Sequence, residues 1–314
     1  MKEQFSHEGE GPKESQEENP ERKIEASDLM SWEEFAEKYP NQQPPPEDAR
    51  YTVEGAGEYQ GKSVVYFGAR HVNDPADPMF EEIEDAFQKA QPTKVFVEGM
   101  HNLQAEEQKA ETLAELKRMG REEVIREYGE PWFIAKLAAE QGIDVESPEP
   151  DLGEEISHLL EQGFSKDHLF AFYFYRQILD FHRTGREPKM EAFEEYIASH
   201  IEGFQGATNW EDFDYSVEHA VQIGKEMWNT NLNLEDREFY EGRVAPVPSE
   251  DLKDNQTTIN EIARQSNSFR DVHMVNQIGE ALKENDRIFI VEGNAHAVRQ
   301  RRALETLLGV SRKE

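Results

Sequence analysis

Two apolar, β-branched runs near opposite ends of the chain each lead to the pattern Gly-x-x-His. The first run, Ser63–Phe67, precedes His71, and the second, Arg287–Glu292, precedes His296. Short apolar runs of this kind predict buried strands. A glycine after a strand permits the tight turn and close backbone approach that aim a side chain inwards. We therefore expect the two histidines to reach one shared site.

Two more short strands are predicted between these runs, and each is followed by glutamate. Lys94–Val97 leads to Glu98, and Ile143–Val145 leads to Glu146 and Glu149. Because strands and helical patterns alternate, the sequence predicts an α/β fold with a mostly parallel sheet flanked by helices. Ligands bind beyond the carboxyl ends of the strands in such sheets, so these glutamates are expected at the same edge as the histidines.

Helices are predicted wherever apolar residues recur at helical spacing. The predicted helices are Pro78–Lys89, Ala105–Met119, Glu122–Gln141, a long one from Thr257 or Thr258 to Glu284, and Ala297–Leu308. Residues 153–229 are helical in pattern and rich in aromatic residues, which is typical of a separate apolar core. We expect a helical insertion here that covers the strand C-terminal ends. The following stretch, Asn231–Lys253, is predicted to be a loop.

The N-terminal fifty residues divide into two parts. Residues 1–28 are predicted to be a disordered acidic tail, because they contain too few apolar residues to offset the entropy of ordering them. Residues 29–50 are predicted to form a short helix and a proline-rich linker, with Ser31 as N-cap and Glu34 completing a capping box. Residues 51–314 would then form a single α/β domain that carries the insertion.

Charge and composition exclude several classes of protein. The formal net charge is −32, which repels nucleic acid and anionic membranes. No cysteine is present, so thiol catalysis and cysteine-ligated zinc are excluded. No apolar run is long enough to span a membrane. We expect a cytoplasmic protein, or else an exported or lipid-tethered one whose signal has been removed, that acts on a small-molecule or peptide substrate.

The residue types at the predicted edge suit hydrolysis. Two imidazoles and one carboxylate on rigid strands can hold a divalent metal such as Zn²⁺, Mn²⁺ or Co²⁺ with open positions for water. We predict His71, Glu98 and His296 as the ligands, with Glu146 or Glu149 as general base. Without a metal, His71 is itself the candidate general base, held by a carboxylate. The chain contains no serine-hydrolase elbow, P-loop or zincin motif.

Charged residues on the last two predicted helices are further candidates. Arg270, Asp271 and His273 share the long helix. An ion pair among Arg70, Arg270 and Asp271 is expected to fix the final helix to the site, with substrate contact as the alternative. His273 is equally compatible with a site and with the core. Three arginines follow His296, and a solvated helix face is the expectation for them. These are Arg299, Arg301 and Arg302.

The same motifs resemble those of a known superfamily. The two Gly-x-x-His patterns, Val97-Glu98-Gly99, and the Arg270-Asp271-x-x-Met274 helix resemble, in the same order, motifs of the erythromycin esterase, ChaN and TIKI (TraB/PrgY-like) superfamily. The resemblance implies a metal-dependent peptidase or esterase of the TIKI/TraB-like type. It also implies two alternatives, a ChaN-like haem protein with His71 or His296 as axial ligand, and a metal-independent hydrolase like the erythromycin esterases.

Overall fold

The computed structural model describes residues 23–100, 106–183, 190–248, 252–253 and 256–310. Five strands and thirteen helices lie in these residues. The strands are β1 (Arg50–Glu54), β2 (Ser63–Ala69), β3 (Lys94–Val97), β4 (Asp144–Glu146) and β5 (Arg287–Gly293). The helices are α1 (Trp32–Lys38), α2 (Pro46–Ala49), α3 (Met79–Ala90), α4 (Glu106–Arg118), α5 (Arg121–Tyr128), α6 (Glu130–Gln141), α7 (Leu152–Glu161), α8 (Lys166–Arg183), α9 (Met190–Thr208), α10 (Val217–Trp228), α11 (Arg237–Val244), α12 (Thr258–Glu284) and α13 (Asn294–Leu307).

The strands form one sheet in the order β1-β2-β5-β3-β4. The edge strand β1 is antiparallel to β2, and all the other pairs are parallel. The two strands that carry the histidine motifs are therefore neighbours, with Gly68 opposite Glu292 and Ala69 opposite Gly293. This sheet, flanked by helices, confirms the predicted α/β fold.

Each face of the sheet is covered by its own apolar cluster, because alternate residues of a strand point to opposite faces. Tyr66, Phe96 and Ile290 pack in one cluster with residues of α12 and α13. Phe289 and Val291 pack in the other with residues of α3 and α6. Both faces of the central strands are buried, which leaves only the strand ends available for a site.

A third apolar cluster lies in the helical part, α7–α11, and is built mainly from aromatic residues. Helix α12 joins this cluster to the sheet. Its first half contributes Ile259 and Ile262 to the helical cluster, and its second half contributes Ile278 and Leu282 to the sheet cluster. The middle of α12 therefore lies where the helical part meets the carboxyl ends of the strands.

Three predictions differ from the structure. Residues 1–22 lie outside the described residues, but residues 24–28 do not belong to a tail, because Ile24 is buried in the sheet cluster and a short 3-10 helix follows it. The predicted helix Glu122–Gln141 is two helices, since Gly129 adopts a positive φ of 76° between them. The predicted loop Asn231–Lys253 contains α11.

The N-terminal segment 24–35 forms a strap across α12 and α13. Asn276 of α12 bonds both backbone groups of Ile24, at 3.0 and 3.2 Å. The predicted capping box at Ser31 is present at the start of α1, and this helix buries Trp32 and Phe35 in the sheet cluster. The strap is thus a packed part of the fold.

In the described part of the chain, no helix combines the length and the apolar character needed to cross a bilayer.

Close packing around Gly68 gives a test of the fold. A β-carbon at this position would meet the Ala49 and Ala297 β-carbons at 2.7 and 2.9 Å, so we expect Gly68→Ala to lower the free energy of unfolding by about 1–3 kcal/mol. Gly203 in α9 has open space around it, and Gly203→Ala should raise stability by up to about 1 kcal/mol. Urea denaturation of both variants measures this. If both variants changed the free energy of unfolding by the same amount and in the same direction, the close packing at Gly68 would be contradicted.

Candidate functional site

The Glu98 carboxylate lies between the two histidines. His71 Nε2 is 3.9 Å from Glu98 Oε2, and His296 Nε2 is 3.9 Å from Glu98 Oε1. The structure thus brings His71, Glu98 and His296 together at the carboxyl ends of β2, β3 and β5. Each imidazole faces a different oxygen of the same carboxylate.

His71 is oriented by a second carboxylate. Its Nδ1 is 2.7 Å from Glu130 Oε1, and the Glu130 side chain is only 3% exposed. With the Nδ1 proton donated to Glu130, Nε2 keeps its lone pair and faces Glu98. The His71 side chain is 46% exposed, so the ring is accessible from solvent.

His296 is held in the same way but is buried. Its Nδ1 is 2.6 Å from Asp271 Oδ1, and Asp271 also accepts a hydrogen bond from Arg299. Burial alone lowers the pKa of His296, but the negative charge and hydrogen bond of Asp271, together with Glu98, outweigh it and raise this pKa above its usual value. Protonation of His296 is therefore favoured.

Glu98 is an anion with several donors, and its side chain is 15% exposed. Its Oε2 accepts the Gly293 N–H at 2.7 Å, and Arg270 approaches Oε1 to 3.5 Å. Burial raises the pKa of Glu98, but the positive charges of His71, His296 and Arg270 and the Gly293 hydrogen bond prevail and lower it below the usual range. Glu98 is consequently ionised at neutral pH.

Gly293 is needed for close approach rather than for a turn. Its φ is −57°, an ordinary value, but a β-carbon there would lie 3.2 Å from His71 Nε2 and 3.4 Å from Glu98 Oε2. The tight turn predicted for the motif glycines is therefore not the reason for them. The absence of a side chain lets the backbone N–H of Gly293 reach Glu98 directly.

Glu149 has a structural part in the site. Its Oε1 accepts a hydrogen bond from Arg270, and its Oε2 accepts the Gly99 N–H at 2.6 Å. The residue is 4% exposed. Because both oxygens already accept hydrogen bonds, the role of general base predicted for Glu149 is replaced by that of holding Arg270 beside Glu98.

Two other predicted site residues point elsewhere. Glu146 pairs with Lys94 at 2.5 Å on the edge strand β4. His273 is half-buried, and burial lowers its pKa while the nearby Glu154 carboxylate on α7 opposes the shift. Neither residue joins the cluster around Glu98.

The ion pair predicted among Arg70, Arg270 and Asp271 does not form, because each residue pairs with another side chain. Arg70 pairs with Asp77 at 3.0 Å, while Arg270 binds Glu149 and Asp271 binds Arg299. The predicted solvated arginine face is wrong for Arg299, which is 2% exposed. Asp271 gains this buried partner because α13 packs against α12, which the sequence pattern did not reveal.

Arg299 connects the N-terminal strap to the site. Its Nε donates to the Met30 carbonyl at 3.1 Å, and its guanidinium carbon lies 4.1 Å above the Trp32 ring. Because the same guanidinium holds Asp271, which orients His296, the strap supports the buried imidazole from outside the sheet.

Sequence reasoning missed three polar residues that complete the cluster. Glu130 follows Gly129 and precedes Pro131, a helix-end and helix-start signal that identifies the turn beside His71. Glu292 was assigned only to its strand, although Val-Glu-Gly occurs there as it does at Glu98. Gln300 on α13 carried no sequence signal.

The side chains of His71, Glu98 and His296 are of types that bind metal ions, but their positions do not fit one metal ion. Two ligands of one Zn²⁺ lie about 3.3 Å apart, whereas both imidazole nitrogens are 3.9 Å from different oxygens of Glu98. The Arg270 guanidinium also already supplies positive charge there. Over the residues that the structure describes, no group of three or more His, Asp or Glu side chains has the geometry to hold a metal ion. The metal and haem sites stay predictions.

Comparison with protein-family models, with curated proteins and with solved structures gave no match.

The Asp271–His296 pair predicts a measurable titration. Asp271→Asn removes the strongest effect that raises the pKa of His296, so the His296 midpoint, followed by NMR of the ring protons, should move to lower pH. The variant also leaves Arg299 buried without its charge partner, which should cost about 3–5 kcal/mol of stability. The control is Asp167→Asn, beside His219 in the helical part. An unchanged His296 midpoint in Asp271→Asn would contradict the arrangement.

The sign of the pH effect on stability follows from the same pair. The pKa of His296 is raised in the folded protein, so its contribution to stability is fully present below the unfolded pKa of about 6.5. That contribution is lost as pH rises through the folded value.

Proposed function

We propose that the protein is a hydrolase that cleaves an ester or amide bond with water activated by His71. The observation that carries the proposal is the pair of carboxylate-oriented imidazoles on either side of Glu98. This corresponds to the metal-independent alternative drawn from the resemblance to the erythromycin esterases. The TIKI-like alternative differs in placing a metal ion where the imidazoles converge.

His71 is the proposed general base. Glu130 accepts a hydrogen bond from its Nδ1–H, so Nε2 is the nitrogen that removes a proton from the water that attacks the substrate carbonyl. Glu130 is nearly inaccessible and stabilises the imidazolium that forms, as the carboxylate of a catalytic triad does. The exposure of His71 fits a group that meets a substrate arriving from solvent.

His296 is the proposed acid partner. Its raised pKa favours the imidazolium, which can stabilise negative charge on the substrate oxygen or return a proton to the leaving group. Glu98 contributes by favouring the proton on His296. An exposed base and a buried acid that face one carboxylate provide the two proton-transfer groups that hydrolysis of an ester or amide requires.

Substitution of the base and its orienting carboxylate tests the proposal. On a panel of small esters and peptide amides, His71→Ala should lower kcat/KM by about 10²–10⁴-fold. Glu130→Gln should lower it by about 10–100-fold, because the ring loses its fixed orientation. Glu122→Gln on α5 removes only an exposed ion pair and serves as the matched control. Equal activity of His71→Ala and the wild-type protein would refute the role of His71.

Treatment with chelator separates the two hydrolytic alternatives. Activity that survives chelation in protein without bound metal supports the His71 mechanism. Activity that is lost, and is restored by Zn²⁺ or Mn²⁺, would instead support the metal-dependent alternative. Elemental analysis of the same samples gives the metal content directly.

A further inference from the structure

Glu292 is a second carboxyl group next to Glu98. Val97 of β3 pairs with Val291 of β5, and Glu98 continues the pairing by donating its N–H to the Val291 carbonyl at 3.2 Å. Glu98 and Glu292 are thus side by side at the ends of adjacent parallel strands. Residues in register on neighbouring strands project to the same face of the sheet, so both carboxyl groups are directed towards α12 and α13.

The surroundings of the two groups differ in charge. Glu98 is faced by two imidazoles and the Arg270 guanidinium, whereas the side-chain contacts of Glu292 in the described structure are the Tyr66 hydroxyl and the Gln300 amide. Glu292 is 1% exposed, and its Oε1 has no hydrogen-bond partner among the described residues. A buried carboxylate beside another carboxylate, without a cation in contact, is strongly disfavoured.

The number of hydrogen-bond protons also favours a neutral Glu292. Tyr66 Oη lies within hydrogen-bond distance of both Glu292 Oε2 and, at 3.1 Å, Gln300 Oε1, but a phenol has one proton. If Glu292 Oε2 carries a proton, Glu292 donates to Tyr66 and Tyr66 donates to Gln300. If Glu292 is ionised, Tyr66 must donate to it, and the Gln300 oxygen loses its donor.

The chain of donors ends at Asp271, which also accepts the hydrogen bond of His296. Gln300 Nε2 donates to Asp271 Oδ1 at 2.8 Å, and the same oxygen accepts the Nδ1 proton of His296. A neutral Glu292 therefore fixes which way the Gln300 amide faces. The orientation of that amide in turn supports the carboxylate that holds the buried imidazole.

We propose that Glu292 is a positioning residue that works as a neutral carboxylic acid, directing the Tyr66–Gln300–Asp271 chain onto His296, and that its ionisation disconnects this chain. The proposal deepens the hydrolytic function and rests on it only for its effect on activity. The structural part can be tested without any turnover.

The charged and titratable groups that face Glu292 come from every element around it. Burial raises the pKa of Glu292 to about 8; His296 on α13 and the Tyr66 hydrogen bond on β2 oppose the shift, and Glu98 after β3 and Glu149 after β4 add to it. From α12, Asp271 raises the pKa of His296 and Arg270 lowers it. Glu292 therefore ionises slightly above neutral pH.

The wild-type protein provides the first test. Infrared spectroscopy should detect the carbonyl band of a protonated, buried carboxylic acid at pH 7, and this band should disappear as pH rises through about 8. In NMR titrations, the ring resonances of His296 should show a second inflection over the same pH range. A spectrum at pH 7 without the acid band would overturn the proposal, and this test needs no variant to fold.

Glu292→Gln provides the second test, because an amide imitates the neutral acid and cannot ionise. The infrared band and the second His296 inflection should both be absent in it. The folded pKa of Glu292 is raised above the unfolded value, so ionisation of this group in the unfolded chain lowers the free energy of unfolding as pH rises from about 4.5 towards 8. The difference in Tm between Glu292→Gln and wild type should therefore grow in favour of the variant from pH 5 to pH 9.

The matched control is Glu155→Gln. Glu155 is also buried and accepts a hydrogen bond from a tyrosine, Tyr173, at 2.7 Å, but its charge lies near Arg270. No growing gain in Tm is expected for this variant. A Tm difference for Glu292→Gln that stays constant with pH would contradict the proposal.

Activity provides the last readout. Tyr66→Phe removes the hydroxyl that lies between Glu292 and the Gln300 oxygen and should lower kcat about tenfold with little change in KM. A loss of kcat in Glu292→Gln as large as in His71→Ala would show that a charged carboxylate is needed, and would overturn the inference. Failure of the hydrolytic proposal would leave the infrared, NMR and Tm results unchanged, so the two failures are distinguishable.

Discussion

The carboxylate of Glu98 is the charge around which the site is arranged. An ionised group in an apolar surrounding is costly unless donors and opposite charges compensate it. Here the compensation comes from both histidine motifs, from the Gly293 N–H and from Arg270 on α12. Strands from opposite ends of the chain therefore meet at one charge, and two of the groups beside Glu98, His71 and His296, are also the proposed base and acid.

Helix α12 connects this charge to the rest of the molecule. Arg270 and Asp271 are consecutive residues in its middle, yet they bind different parts of the site. Arg270 lies between Glu149 and Glu98, and Asp271 lies between His296 and Arg299. The first half of α12 packs in the helical part and the second half packs on the sheet. This one helix therefore contacts the helical part, the sheet and the site.

The fold and the central pair of histidines follow from local sequence patterns, whereas their partners do not. The strands at His71 and His296 are recognisable because apolar alternation and glycine act within a few residues. Glu130 is paired with a residue 59 positions away, and its only local signal is the Gly-Glu-Pro break between α5 and α6. Such a signal locates a turn but does not identify which side chain the turn meets.

Arg299 is a second residue whose partners could not be predicted from local sequence. Three arginines in four positions of a helix normally indicate a solvated face, and for Arg301 the side chain is in fact 42% exposed. Arg299 is buried because the strap passes over it, with the Met30 carbonyl and the Trp32 ring as its partners. These contacts join residues about 270 positions apart, so they depend on tertiary packing that no local pattern contains.

The central claim is that one carboxylate is shared by both imidazoles. The most direct measurement is an NMR comparison of Glu98→Gln with the wild-type protein, in which the ring nitrogen resonances of His71 and His296 are followed together. We expect both sets of resonances to change, because the substitution removes the charge that lies 3.9 Å from each Nε2. A variant in which only one histidine responds, or neither, would contradict the shared site.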